Sequence, residues 1–279
     1  MSIFDNEKQL QTTIKAVLLA IAGLTALCVV LLFVLLCVKG CSGCAGSRTP
    51  DDTASSDTQS TSPVVNPGGQ DDVTLPETPD AGIGYQDTLT FVGDSLTAHL
   101  VSRGVLSDGT NTRQVWKTQT NMMNLNSETD KVKVALPGTG TYVTISDAAA
   151  QVKPAILIIT LGTDYGVSYL TEEEFKSAYT KLIKGVQEKS PATRIILQSI
   201  FPVTNNCKVL SNESIDKCNV WVKEIAASNG CRYLDTQSVL KDNRNNLKDN
   251  YCSSDDGIHL TADAYKVILQ YIRTHALTD

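Results

Sequence analysis

"TLTFVGDSLTAHL", residues 88–100, joins two unlike patterns. A β-branched and aromatic run stops at Gly93, and a helix-like stretch begins within two residues of it. Gly93 supplies backbone freedom for the turn, and Asp94 or Ser95 supplies the helix N-cap. The stretch then reads as a buried strand feeding a helix, with Ser95 at the strand's carboxyl end. Open α/β sheets place their ligands at that end, so one turn is both a fold signal and a candidate site.

The same alternation runs outward from this turn to the C-terminus. "TRQVWKT" (112–118) predicts a second strand, and "KVKVAL" (131–136) a hairpin arm before a helix near 143–152. "AILIITLG" (155–162) is continuously apolar, as a central parallel strand covered on both faces must be. Thr171 and Glu174 have capping-box spacing, and Phe175, Tyr179, Leu182, Ile183 and Val186 follow at helical spacing as one core face. "TRIILQSIFP" (193–202), a helix near 212–228, "CRYLDT" (231–236) and a last helix from Thr261 complete the series. Strands alternating with helices predict an α/β domain over 88–279, with a parallel central sheet and helices on both faces.

Several function classes drop out on composition. A net charge of -6, no basic stripe and only 6% aromatic residues exclude a nucleic-acid surface. "GTGTY" (138–142) lacks the Gly-Lys-Ser/Thr ending and the adjoining buried strand of a phosphate-binding loop. No cofactor is expected. Zinc is not expected either, because Cys207, Cys218, Cys231 and Cys252 contain no C-x-x-C pair, and "CSGC" (41–44) has no second pair to complete a site.

A serine nucleophile needs a base, and the chain has three histidines. His99 lies one helical turn beyond Ser95 and is read as facing away or packing. His275 lies near the C-terminus. His259 sits in "SSDDGIHLTADAY", a loop before the last helix, with Asp256 three residues earlier. A tight loop of that spacing can set a carboxylate against one imidazole nitrogen and leave the other free for a serine. The carboxylate fixes the tautomer and stabilises the imidazolium that forms.

With these two blocks in hand, residues 88–275 resemble the SGNH/GDSL hydrolase family. "VGDSL" (92–96) resembles its nucleophile block, "DGIHL" (256–260) its Asp-x-x-His block, and "ITLGTDYG" (159–166) its Gly-x-Asn-Asp block. The resemblance implies a flavodoxin-like three-layer α/β/α sandwich with Ser95 as nucleophile, His259 as base and Asp256 as its orienting acid. A Gly-x-Ser-x-Gly elbow, the mark of ordinary α/β-hydrolases, is absent.

Two departures from the family pattern bear on the oxyanion hole. Its third block supplies an asparagine donor, and Asp164 stands there instead. An ionised aspartate only accepts hydrogen bonds and repels a developing oxyanion, so it could serve only if protonated. The family's glycine after the second strand is missing from "VWKTQTNMM". The Ser95 amide remains as a donor, and Asp164 can be a second one only in its protonated form.

The N-terminal third carries a different message. Residues 16–38 hold no charge and are long enough to span a bilayer, longer than the apolar region of a secretory signal. They predict a single-pass anchor after a cytoplasmic segment 1–15, with a lipoprotein signal ending at Cys41 as the rival. Residues 39–87 are rich in Ser, Thr, Asp, Pro and Gly and predict a flexible stalk. Cys207, Cys218, Cys231 and Cys252 form an even set in one region, which predicts two disulfides in an oxidising space outside the cell, with four buried thiols in a cytosolic domain as the alternative. The expected function is an extracytoplasmic, membrane-attached serine esterase that removes acyl groups, acetyl above all, from cell-wall or extracellular carbohydrate or another small ester. The alternatives are a carbohydrate O-acyltransferase using the same serine, and a surface binding module with a degenerate oxyanion hole.

Overall fold

The computed structural model describes residues 73–278. The expected segment 1–15, the anchor at 16–38 and residues 39–72 of the expected stalk lie outside them. Among the described residues no helix is long and apolar enough to cross a membrane.

Five parallel strands make the central sheet: β1 (Leu89–Gly93), β2 (Val115–Trp116), β5 (Ile156–Thr160), β6 (Arg194–Gln198) and β7 (Arg232–Leu234). Their spatial order is β2-β1-β5-β6-β7, the doubly wound order in which the winding of strands reverses between the first and third strands in sequence. A separate antiparallel pair, β3 (Lys133–Ala135) with β4 (Tyr142–Thr144), forms the expected hairpin.

Side-chain alternation builds two cores. Val92, Leu157, Ile159 and Leu197 face one of them, where α3 (Ile145–Val152), α5 (Glu172–Lys189) and α6 (Asn212–Ser228) pack. Leu89, Phe91, Ile156, Ile158 and Ile196 face the other, covered by α2 (Ser95–Ser102) and α8 (Ala262–Thr274). Every residue of β1 and β5 is buried, so both strands read as continuous apolar runs. The capping box opens α5 as expected, with Thr171 and Glu174 each bonding the other's backbone.

Two expectations are corrected. The first is the stalk boundary, because residues 73–87 belong to the domain. Tyr233 of β7 exchanges main-chain hydrogen bonds with this segment, from its amide to the Val73 carbonyl and from the Leu75 amide to its own carbonyl, at 2.9 Å each. Leu75 is buried, Arg273 binds Asp80 at 3.0 Å, and α1 (Gly82–Gln86) lies against α8. Main-chain pairing needs no particular side chains, so a Thr-, Pro- and Asp-rich composition concealed it.

The second correction concerns the expected disulfides: among the described residues Cys207, Cys218, Cys231 and Cys252 are unpaired. Cys207, Cys218 and Cys231 lie against the core on one face of the sheet, and Cys252 against the other. Burial pushes the Cys218 thiol up to about 11 and that of Cys231 up to about 12, so both behave as small inert apolar groups.

The N-terminal segment gives a direct test. A chain beginning at Thr88 loses the buried Leu75 and two edge hydrogen bonds, and is expected to be less stable than one beginning at Val73 by about 3 kcal/mol. Urea unfolding of the two would measure the difference, and equal midpoints would show that the segment contributes nothing.

Candidate active site

The order of strands reverses between the parallel neighbours β1 and β5, and the loops that leave these two strands meet there. Gly93 ends β1 in register with Thr160 of β5. A Cβ on Gly93 would lie 2.1 Å from the Thr160 carbonyl oxygen and 2.2 Å from Thr97 Oγ1. Glycine is therefore required here by close packing, and not by the backbone freedom expected of it.

Asp94 is the N-cap of α2: its carboxylate is fully buried and accepts from the Leu96 amide at 3.3 Å and from the Thr163 amide at 2.9 Å. It thereby ties the loop after β1 to the loop after β5. Burial, reinforced by the nearby Asp164 carboxylate, pushes the Asp94 carboxyl up to about 7.

Ser95 opens α2 and is half-buried. Its hydroxyl donates to Asp164 Oδ1 at 2.7 Å, and its amide donates to Asp164 Oδ2 at 3.1 Å. The amide of Met123, from the loop after β2, donates to the same Oδ2 at 3.1 Å. Two main-chain donors thus converge on one point beside the serine, and the point is filled by the Asp164 carboxylate. The second donor was invisible in the sequence because a backbone amide carries no residue signature.

The other half of the site is the loop before α8. His259 Nδ1 lies 2.5 Å from Asp256 Oδ2. Asp256 also accepts from the amides of Ile258 and His259 and from the Ser254 hydroxyl. Partial burial raises the Asp256 carboxyl, but these hydrogen bonds outweigh it and hold the group well below the usual carboxylate range. The ionised carboxylate fixes the proton on Nδ1 and leaves Nε2 as an acceptor. Gly257 makes the turn possible: its φ is 76°, and a Cβ there would lie 2.4 Å from Thr204 Oγ1.

Of the expected site residues, the structure joins Ser95 to Asp164 and Asp256 to His259. Among the described residues the Ser95 hydroxyl donates to Asp164 and not to His259. Of its two expected placements His99 takes the packed one, but its partner is in the site: its ring lies against that of His259 with centroids 4.9 Å apart. Its position one turn beyond Ser95 was the signal that could have placed it there.

A groove of about 390 Å³ is lined by Asn126, Ser127, Tyr165, Glu173 and Ser177 among others, and none of Ser95, Asp164, Asp256 and His259 lines it. Its walls continue the two loops that supply Met123 and Asp164. Among the described residues no group of side chains is arranged to hold a metal ion.

A family model described as GDSL-like lipase/acylhydrolase matches residues 91–267. No curated protein matches the chain. Similar solved structures include a GDSL-like lipase from Bacteroides thetaiotaomicron VPI-5482, at 15% identity over 67% of this chain and 86% of that one, with a TM-score of 0.46. The periplasmic domain of a lipopolysaccharide acetyltransferase from Salmonella ser. Paratyphi A matches at 15% identity over 66% and 82%, with a TM-score of 0.45. A variant of an acetyl-xylooligosaccharide esterase from Geobacillus Stearmophilus matches at 16% identity over 68% and 94%, with a TM-score of 0.40.

Proposed function

The chain belongs to the GDSL-like lipase/acylhydrolase family, and on that premise we propose that it is a serine esterase with Ser95 as nucleophile, His259 as general base and Asp256 as the residue that orients the base. The observation that carries this reading is the convergence of the Ser95 and Met123 amides on one point beside the Ser95 hydroxyl. Two main-chain donors at about 3 Å from a common point form a site for an oxyanion.

In the reaction, Ser95 Oγ attacks the ester carbonyl carbon while its proton passes to His259 Nε2. The carbonyl oxygen becomes an oxyanion at the point between the two amides. Collapse of the tetrahedral intermediate returns the proton to the leaving alcohol and leaves an acyl-serine. Water, deprotonated by His259, then attacks the acyl carbonyl carbon; the bond to Ser95 Oγ breaks, His259 returns the proton to that oxygen, and the carboxylic acid leaves. For this cycle Asp164 must leave the point it fills, and the Ser95 hydroxyl must turn from Asp164 to His259.

The substrate we propose is an acylated carbohydrate at the cell surface, acetyl being the acyl group. The apolar run at 16–38 and the polar stretch that follows it support a membrane-attached, extracytoplasmic placement. A polar-lined groove that includes Asn126, Ser127 and Ser177 is compatible with a hydroxyl-rich alcohol. A sugar hydroxyl in place of water would turn the same acyl-enzyme to transfer.

One observation favours a second reading. A carboxylate in the oxyanion position suits a binding module with weak catalysis. Labelling of the full chain by a fluorophosphonate separates the two readings. The esterase is expected to be labelled at Ser95 and the Ser95→Ala protein not at all. Absence of labelling in the native chain, under conditions that label a known serine esterase, would remove the catalytic reading.

A further inference from the structure

Helix α2 presents a single stripe to the loop that carries His259. Ser95, His99 and Arg103 follow one another at intervals of four residues, Arg103 being the C-cap, so they share one face of the helix. Each of the last two addresses the 252–260 loop. The His99 ring lies over the His259 ring, 4.9 Å between centroids with planes tilted 34°. Arg103 Nη2 donates to Ser253 Oγ at 2.7 Å. Ser253 in turn donates to the His259 carbonyl, from its amide at 2.7 Å and from its hydroxyl at 3.1 Å. The helix that begins at the nucleophile therefore also grips the base, by its ring and by its backbone.

We infer that His99 and Arg103 are positioning residues for His259, His99 as the ring against which its imidazole is held and Arg103 as the tether of its loop. This inference rests on His259 being the base of the proposed reaction. His259 is half-buried, with Asp256 on one ring nitrogen and, among the described residues, no other hydrogen bond to fix its plane. A flat neighbour restricts its rotation about the line to Asp256. Misplacement of a catalytic group by about 1 Å can cost on the order of 10²-fold in rate.

The platform works only while it carries no charge, since a cation there would repel the imidazolium that forms on His259. The surroundings favour that state. Burial lowers the His99 proton affinity first, and the neighbouring His259 and Arg103 lower it further. The Asp164 and Asp256 carboxylates act in the opposite sense but do not prevail. Among the described residues the buried His99 Nδ1 atom has no hydrogen-bond partner, as befits a ring retained for its face.

Two measurements on the full chain test this. The first is the pH dependence of Ser95 labelling by a fluorophosphonate. His99→Ala and Arg103→Gln are each expected to slow labelling about tenfold at neutral pH, and His99→Phe to restore it to within about threefold. The second is the imidazole NMR titration of His259, which needs no turnover and is tractable because the chain has only 3 histidines. His99→Lys is expected to move the His259 midpoint down by about one pH unit, and His99→Phe to leave it near the native value. A His259 midpoint unmoved by His99→Lys would overturn the inference, as would His99→Phe labelling no faster than His99→Ala. If the native chain resists labelling, the esterase reading fails alone, and the NMR titration still decides the placement of His99.

Discussion

Replacing Asp164 by asparagine is expected to raise turnover of a small aryl acetate at neutral pH by about tenfold or more. The carboxylate now takes three hydrogen bonds that the reaction needs: the amides of Ser95 and Met123, and the Ser95 hydroxyl itself. An asparagine of the same shape carries no charge, holds the two amides less tightly and offers a donor in their company. The nucleophile is then released toward His259, and the oxyanion meets donors where it would have met a carboxylate. Ser95→Ala in the Asp164→Asn chain should abolish the gain. A fall in turnover on Asp164→Asn would mean that the aspartate has a positive role, such as orienting a substrate hydroxyl.

The same substitution should alter stability with pH. Asp94, raised to about 7 by burial and by Asp164, binds its proton more tightly in the folded than in the unfolded chain. Its contribution to stability is complete below about pH 4 and is lost as the pH rises toward 7. Removing the Asp164 charge removes part of that shift, so the Asp164→Asn protein should lose less stability across this window. Thermal melts at pH 4, 5.5 and 7 would show it.

The second large effect is expected at Asp256. In the Asp164→Asn chain, where turnover is easily read, Asp256→Asn should lower it by about 10³–10⁴-fold. A carboxamide at this place has one accepting oxygen where the carboxylate uses two, and its amide nitrogen set against His259 Nδ1 would favour the wrong tautomer. Circular dichroism must show the fold intact, because Asp256 also accepts the Ile258 and His259 amides that shape the loop. A loss below tenfold in a folded protein would remove Asp256 from the proposed role.

Much of this site was legible in the chain because its chemistry is concentrated in two short blocks. Gly-Asp-Ser after a buried strand and Asp-x-x-His before a helix each combine a local turn with reactive side chains, and both signals are local in sequence. Met123 was not legible, since its contribution is a main-chain amide brought in by the loop after β2. His99 could be assigned to a helix face from its spacing, but which ring lay across from that face depended on a loop more than 150 residues away. For Cys207, Cys218, Cys231 and Cys252, number and region say nothing about the short separation that a disulfide demands, and the fold places Cys252 on the far side of the sheet from the others. Residues 73–87 were read by composition alone, which is blind to pairing through the backbone.

That pairing also bears on how the protein behaves in company. β7 is the last strand of the sheet, and its outer edge would otherwise present bare amides and carbonyls to any extended chain that drifted past. Val73 and Leu75 occupy the Tyr233 amide and carbonyl, and the bridge at Thr74 is parallel, in keeping with the rest of the sheet. The Pro76 and Pro79 that follow cannot donate to a further strand. The segment is thus a built-in stopper against edge-to-edge recruitment, and cutting it away leaves a folded but adhesive molecule. Self-association of the shortened chain, growing with its concentration, is the form that failure would take.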